Sequence, residues 1–205
     1  MDQDDIKSLA DRIGGLQPAG RRLLVAIAGP PASGKSRTAR ELVEELQRRG
    51  GRAVEVPMDG FHLDNRLLDA RGLRARKGAP ETFDAAGFVH AMRRLGSEEE
   101  VILPTFDRSR DLSVAGAIAI TPKHDIAVVE GNYLCFDEPP WRELAELWDF
   151  SCYLEVPDEV LLERLVKRWL GHGHTPEAAE ARARGNDLAN AQRIAAAVGA
   201  VDLRM

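Results

Sequence analysis

The chain has 205 residues, of which 44% are hydrophobic and 30% are charged, and its formal net charge is −5. This size and balance suit one α/β domain with a substantial core. The acidic balance argues against a broad nucleic-acid or membrane surface, so basic residues should gather locally where phosphate binds and no nucleic-acid partner is expected.

The first segment predicts a short leading helix within residues 1–20. Ile6, Leu9 and Ile13 have helical spacing, and a glycine pair follows them. The acidic start lacks the basic and apolar parts of a signal peptide, and no apolar run reaches the roughly 20 residues that span a bilayer. We therefore expect a cytoplasmic protein without membrane insertion.

The most informative motif follows at residues 29–36, which read G-P-P-A-S-G-K-S and match G-x-x-x-x-G-K-S. An apolar strand over 22–28 precedes the motif and a helical pattern over 35–49 follows it, which is the context that this motif requires. The glycines let backbone N–H groups face phosphate oxygens, the lysine reaches the β- and γ-phosphates, and the serine binds Mg²⁺. We therefore predict a nucleoside triphosphate site with Mg²⁺ that comprises Gly29, Pro30, Pro31, Ala32, Ser33, Gly34, Lys35, Ser36 and Arg37.

A second strand over 52–56 leads to Asp59, and the arginine-rich residues 62–78 are predicted to cover a site. A carboxylate beside a transferable phosphoryl group can accept the proton of an attacking hydroxyl or hold a water of the Mg²⁺ shell. An Asp-Gly pair is also typical of an ordinary turn. Both interpretations of Asp59 stay open at this point.

The middle of the chain predicts a helix from Asp84 to Leu95, a short strand over 101–103, a hairpin arm over 114–120 and a buried strand over 126–129. Glu130 ends that last strand. An acid there can orient Mg²⁺ through water, and the alternative is a surface acid at a strand end.

The C-terminal part predicts a helix ending at Leu170 that carries Arg164 and Arg168 on one face, because the two residues are four apart. A glycine-broken turn follows, so we predict a mobile helical lid over 164–185. Its arginines would stabilise charge on the transferring phosphoryl group, and the alternative is a solvated basic face. The other predicted elements are a helix over 141–147, a buried strand over 150–156, helices from 176 and over 186–198, and a last strand over 200–203.

Apolar strands that alternate with helices predict a three-layer α/β/α fold with a central parallel sheet, in one domain over 1–205. Ligands of such sheets bind beyond the carboxyl ends of the strands. Polar and aromatic side chains of the intervening loops are candidates for the phosphate acceptor; an arginine fork can grip a carboxylate or phosphate, and an aspartate suits sugar hydroxyls. The candidates are Asp59, His62, Lys77, Phe106, Asp107, Arg108, Glu130 and Tyr133.

Four segments behind the phosphate loop resemble, in this order, the P-loop kinases of the uridine kinase, phosphoribulokinase and pantothenate kinase group. They are P-M-D-G-F-H-L-D-N at 57–65, R-K-G-A-P-E-T-F-D at 76–84, P-T-F-D-R at 104–108 and V-E-G-N-Y-L at 129–134. Within that group the chain is most similar to bacterial proteins named fructose transport system kinases. The resemblance covers about residue 20 to the C-terminus.

The resemblance implies ATP-dependent phosphorylation of a small-molecule hydroxyl. It implies that Asp59 is the catalytic base, that Glu130 lies near the metal, and that Lys77 and the Phe106-Asp107 pair lie near the acceptor. It also places Arg164 and Arg168 on the lid helix.

The chain departs from the group in one respect: the longer insertions by which pantothenate and uridine kinases enclose their acceptors are missing. The identity of the acceptor therefore stays open among sugars, nucleosides and pantothenate-like metabolites. Whether the protein forms a homodimer also stays open. A different class, a regulatory NTPase that acts through a protein partner, is a second hypothesis. Acceptor-dependent ADP release would favour the kinase over this alternative.

Overall fold

The computed structural model describes residues 2–205 and contains seven strands within them. The strands are β1 (Leu23–Ala28), β2 (Ala53–Pro57), β3 (Val101–Asp107), β4 (Leu112–Ile120), β5 (Ile126–Gly131), β6 (Phe150–Tyr153) and β7 (Leu203–Arg204). Five of them form a parallel sheet in the order β2-β5-β1-β6-β7, and β3 and β4 form a separate antiparallel pair.

Helices cover both faces of the parallel sheet. They are α1 (Gln3–Gly14), α2 (Lys35–Arg48), α3 (Asn65–Ala70), α4 (Ala85–Ser97), α5 (Asp158–Gly171), α6 (Pro176–Arg182) and α7 (Ala189–Ala196). No helix within residues 2–205 combines the length and apolar character needed to cross a membrane.

The central strand β1 is buried along its whole length and divides the core in two. Its side chains alternate between faces, as the period of a strand requires. Val25 and Ile27 pack with α1 and α2, whereas Leu24 and Ala26 pack with α4 on the other face. The predicted three-layer α/β/α fold with a central parallel sheet is confirmed.

A buried arginine fastens the start of β1 to its surroundings. The side chain of Arg22 is 1% exposed, and its guanidinium donates to the backbone carbonyls of Leu95, Glu98, Glu99 and His124. Four carbonyl partners compensate for the desolvation of this charge. The strand that leads into the phosphate loop is thereby held to the end of α4.

A third, smaller core lies around the predicted lid, 164–185, and extends beyond both of its ends. Leu161 and Leu165 of α5 pack against Ala183 and Ala191. The chain between α6 and α7, residues 183–188, is a π-helical turn. The predicted helix over 186–198 is therefore two elements, this wider turn and the regular helix α7.

The region 62–78 contains the short helix α3, because the Asp64 side chain accepts the Arg66 N–H at 2.9 Å and Leu68 is fully buried. Two other predictions differ from the structure. The predicted helix over 141–147 is a 3₁₀ helix, Trp141–Glu146. The last strand is only Leu203–Arg204, where the chain pairs with the end of β6.

Candidate functional site

The phosphate loop 29–36 has a backbone shaped to receive an anion. Ala32 and Gly34 have φ values of 63° and 99°, the left-handed geometry that turns successive N–H groups to one side. A side chain on Gly29 would not fit, because its Cβ would lie 2.7 Å from Ser33 Oγ and 3.2 Å from Leu154 Cβ. Gly34 leads directly into α2, whose first N–H groups have no side-chain cap.

Two acids lie beside this loop because their strands are neighbours of β1. β5 lies between β1 and β2, and Glu130 is in register with both Ile27 and Pro57. Asp59 follows β2 in the short turn Met58–Phe61. The carboxyl ends of adjacent parallel strands therefore bring both carboxylates to the loop, as the sequence predicted for this type of sheet.

Glu130 is 4% exposed and accepts a hydrogen bond from Ser36 Oγ at 3.0 Å. Burial raises the pKa of Glu130, which the positive charge of Lys35 partly offsets. Serine and carboxylate oxygens are the ligands that Mg²⁺ prefers, together with phosphate oxygens and water. The paired oxygens of Ser36 and Glu130 therefore fit a Mg²⁺ that accompanies a nucleotide.

Lys35 is the cation between the two acids. Desolvation in the cleft lowers its pKa, while the carboxylates of Glu130 and then Asp59 act in the opposite direction. The two carboxylates therefore favour the charged ammonium, which is also the form that attracts a phosphate when one enters.

Asp59 is held by an arginine from the turn between β3 and β4. Arg108 Nη2 donates to Asp59 Oδ2 at 2.6 Å, and His62 Nε2 lies 3.9 Å from Oδ1. Burial would raise the pKa of Asp59, but His62, Arg108 and Lys35 together outweigh it and lower that pKa. Burial also lowers the pKa of His62 to about 4, so Arg108 and Lys35 are the cations that face Asp59 at neutral pH.

An aromatic wall continues from His62. Its ring stacks on Phe83 with centroids 4.0 Å apart, and Phe106 lies at 4.8 Å. Lys77 lies over the Phe106 ring at 4.9 Å, and its ammonium donates to Asn65 Oδ1 and to the side chain and backbone of Asp111. Because a lysine has three N–H donors, all those of Lys77 are used within the protein.

The opposite wall comes from α5 and the turn after α6. Trp169 Nε1 donates to Asp187 at 2.6 Å, and the Arg182 guanidinium lies over the Trp169 ring at 4.9 Å. Desolvation, and then repulsion from Arg108, lower the pKa of Arg168. Arg168 and Arg108 therefore face the same space from opposite sides.

These walls enclose a cavity of about 700 Å³ at the carboxyl ends of β2, β5 and β1, which we call the acceptor cavity. Its lining includes Pro31, Lys35, Ser36, Asp59, His62, Arg74, Lys77, Phe106, Arg108, Asp111, Asn132, Arg168, Trp169, His172, Arg182 and Asp187. A second cavity of about 490 Å³, which we call the outer cavity, lies on the other side of the loop and is lined by residues of the loop and α2 together with Leu154, Val156 and Arg164.

Four buried polar side-chain atoms in the described chain have no hydrogen-bond partner, and all four belong to residues that line these cavities. Ser33 lines the outer cavity, and His62, Asn132 and Arg182 line the acceptor cavity. Buried polar groups are nearly always paired, so unpaired ones call for an explanation. All four occur in residues at the two adjoining cavities, where a small side-chain movement would bring them to a ligand.

Most of the predicted acceptor residues line the acceptor cavity, but Tyr133 and Asp107 make other contacts. Tyr133 is fully buried and its hydroxyl donates to the Gly78 carbonyl at 2.6 Å, so it belongs to the core. Asp107 accepts from Ser109 and Arg110 within its own turn.

Two further predicted residues, Arg37 and Arg164, lie at the outer cavity together with the loop residues 32–34. Arg37 is exposed and pairs with Glu41 at 2.7 Å. Arg164 donates to the Ala32 carbonyl at 3.2 Å and so lies on the far side of the loop from Arg168.

The sequence did not identify Arg74, Asp111, Asn132 and Trp169, which line the acceptor cavity, or Asn65, which contacts Lys77 beside it. Asn65 and Asp111 position the Lys77 ammonium and follow no spacing rule, since the loops that carry them meet only in the fold. Trp169 directly follows Arg168 at the end of α5, which was the one available signal.

Comparisons with known proteins agree with this geometry. The model of the phosphoribulokinase / uridine kinase family matches residues 24–184. The crystal structure of a "putative fructose transport system kinase" from Silicibacter sp. TM1040 superposes with a TM-score of 0.92 at 51% identity, covering 98% of this chain and 97% of that one.

Two curated relatives extend the comparison. The "putative uridine kinase C227.14" of Schizosaccharomyces pombe is 36% identical over 181 residues, which are 83% of this chain and 77% of that protein. Protein YggC of Escherichia coli K12 is 38% identical over 177 residues, 85% of this chain and 73% of that protein. Nothing in these comparisons supports a regulatory NTPase.

Proposed function

The chain belongs to the phosphoribulokinase/uridine kinase family of ATP-dependent phosphotransferases, and we propose that it transfers the γ-phosphoryl group of ATP to a hydroxyl of a small molecule held beside Asp59. The observation that carries the proposal is that Lys35 and Asp59 line one cavity at the phosphate loop together with Ser36, whose hydroxyl donates to the buried Glu130. Three residues of that cavity, His62, Asn132 and Arg182, carry a polar side-chain atom without a protein partner.

The two cavities suggest how the nucleotide binds. Residues 32–34 line the outer cavity, whereas Pro31, Lys35 and Ser36 line the acceptor cavity. A triphosphate that follows the loop would leave its nucleoside in the outer cavity, near Leu154 and Val156, and present its γ-phosphate to the acceptor cavity. Ser36 and Glu130 would hold the Mg²⁺, which supplies neutralising charge on the phosphate oxygens when bound.

The reaction then follows from the positions of the side chains. The acceptor oxygen forms a bond to the γ-phosphorus while the bond to the β,γ-bridging oxygen breaks, and that oxygen leaves with the electron pair as part of ADP. The hydroxyl proton passes to the Asp59 carboxylate, which is ionised because its pKa is lowered. Lys35, Arg168 and Arg182 face the transferring group and stabilise its charge.

The test is ADP release from ATP in the presence of panels of sugars, nucleosides and carboxylic acids, with calorimetry of ATP binding alongside. We expect ADP release to depend on one class of acceptor, and Lys35→Met to lose both ATP binding and turnover. Arg12→Met removes a basic residue from α1, away from either cavity, and serves as the matched control. Folded protein that binds no ATP at millimolar concentration with Mg²⁺ would refute the proposal.

A further inference from the structure

The distribution of charge in the acceptor cavity bears on the kind of molecule that enters it. Six basic side chains line the cavity, against three acidic ones. The basic residues are Lys35, Arg74, Lys77, Arg108, Arg168 and Arg182, and the acidic residues are Asp59, Asp111 and Asp187. An excess of positive charge in a cavity with low-dielectric walls concentrates anions.

Not all of this charge is available to an acceptor. Lys77 uses its three donors on Asn65 and Asp111, and Arg74 pairs with Asp69 at 3.2 Å. Lys35, Arg168 and Arg182 face the place that the proposed function gives to the γ-phosphate. Arg108 is the remaining cation.

Arg108 has the donors and the exposure that a binding group needs. Its side chain is 65% exposed, and its only hydrogen bond within residues 2–205 is the one from Nη2 to Asp59. A guanidinium has five N–H donors in a planar fork, so four remain for a second partner. The fork matches the paired oxygens of a carboxylate or a phosphate.

The rest of the wall is suited to hydroxyl groups. His62 is neutral at physiological pH because burial lowers its pKa to about 4, and its Nδ1 has no partner. Asn132 Oδ1 is also without a partner and accepts only. An imidazole nitrogen and an amide oxygen beside a carboxylate are groups that bind alcohols rather than charges.

From this juxtaposition we propose that the acceptor is a compact hydroxylated anion, and that Arg108 binds its anionic group while the hydroxyl lies on Asp59. The inference rests on the proposed kinase function and narrows its substrate class. One guanidinium then holds both the catalytic carboxylate and the anionic group of the acceptor. A neutral acceptor has no anionic group for the spare donors of Arg108. It would therefore bind less firmly beside Asp59.

The test compares matched pairs of acceptors that differ in the anionic group. Gluconate and glucose, and glycerate and glycerol, test the carboxylate; ribose 5-phosphate and ribose, and fructose 6-phosphate and fructose, test the phosphate. We expect the anionic member of at least one pair to have the higher kcat/KM. The pair that responds identifies the source of the anion.

Arg108→Gln removes the charge while keeping a side chain of similar reach. Hydrogen bonds to charged groups correspond to a roughly 10- to 100-fold change in kcat/KM, so we expect the preference for the anionic member to fall by that factor. Arg108→Lys keeps the positive charge but lacks the paired N–H donors of a guanidinium, so it should retain part of the preference for the anionic acceptor. Arg110→Gln, an exposed arginine of the same turn that does not line the cavity, is the matched control and should keep the preference.

The outcomes separate this inference from the proposed function. If neutral members are phosphorylated as well as or better than anionic ones, or if Arg108→Gln leaves the preference unchanged, the inference is overturned and the kinase stands. If no compound of either kind supports ADP release and calorimetry detects no ATP binding, both fail. If ATP binds but no anionic compound is phosphorylated or raises Tm, the inference alone is overturned.

Discussion

Replacing Asp59 by asparagine is the sharpest test of the mechanism. The structure predicts that the local geometry survives, because asparagine has the same shape and its Oδ1 can accept the hydrogen bond that Arg108 now gives at 2.6 Å. The substitution removes the group that is proposed to take the proton. It also removes one negative charge next to Lys35. ATP should therefore bind as tightly as before or more tightly.

The size of the loss follows from the role of the carboxylate. A positioned general base contributes roughly 10²- to 10⁴-fold, which at 1.36 kcal/mol per tenfold is about 2.7 to 5.4 kcal/mol of transition-state stabilisation. The assay is kcat for ADP release with the acceptor that the panels select, with ATP binding by calorimetry on the same samples. Asp84→Asn is the matched control, since its carboxylate caps α4 and asparagine caps equally well. Turnover by Asp59→Asn within about threefold of the parent protein would remove Asp59 from the chemistry.

Three further predictions concern stability and nucleotide binding. Arg22→Met leaves four backbone carbonyls without their donor and should lower the free energy of unfolding by on the order of 3 kcal/mol in urea titrations, while a change under 1 kcal/mol would show that water replaces the guanidinium. Gly29→Ala places a Cβ 2.7 Å from Ser33 Oγ and should weaken ATP binding by roughly tenfold or more in calorimetry, so an unchanged affinity would mean that the loop relaxes without cost. Burial lowers the pKa of His62 from 6.5 to about 4. Between those pH values the unfolded chain therefore binds a proton that the folded chain does not. The free energy of unfolding should fall by about 1.4 kcal/mol per pH unit as the pH is lowered through this range. His62→Gln should remove this part of the slope, and an identical pH profile in the variant would contradict the assignment.

The sequence predicted the elements whose pattern is local. The strand, glycine loop and helix around residues 29–36 each have a period or composition of their own, and Asp59 and Glu130 were found because parallel strands end at the same edge of a sheet. These features predict the proposed triphosphate end of the site without any knowledge of tertiary contacts.

What the sequence could not give depends on contacts between distant segments. Tyr133 was predicted at the acceptor as one of the aromatic residues of the loops, yet its hydroxyl donates to the Gly78 carbonyl, 55 residues away. Arg164 and Arg168 share a helix face, but the phosphate loop passes between the spaces that they reach. Arginine is normally exposed, so the sequence gives no sign that Arg22 is buried. Its burial depends on four carbonyls that come together around it only in the fold.

The position of Trp169 gives the protein a built-in optical probe. The chain has three tryptophans, and the other two, Trp141 and Trp148, pack in the core between α4 and the sheet. The Trp169 indole alone borders the acceptor cavity, with the Arg182 cation over its ring. Any ligand that draws Arg182 away changes the electric field on that chromophore, so the emission of a Trp141→Phe, Trp148→Phe background would report occupancy in real time, without a dye and without turnover.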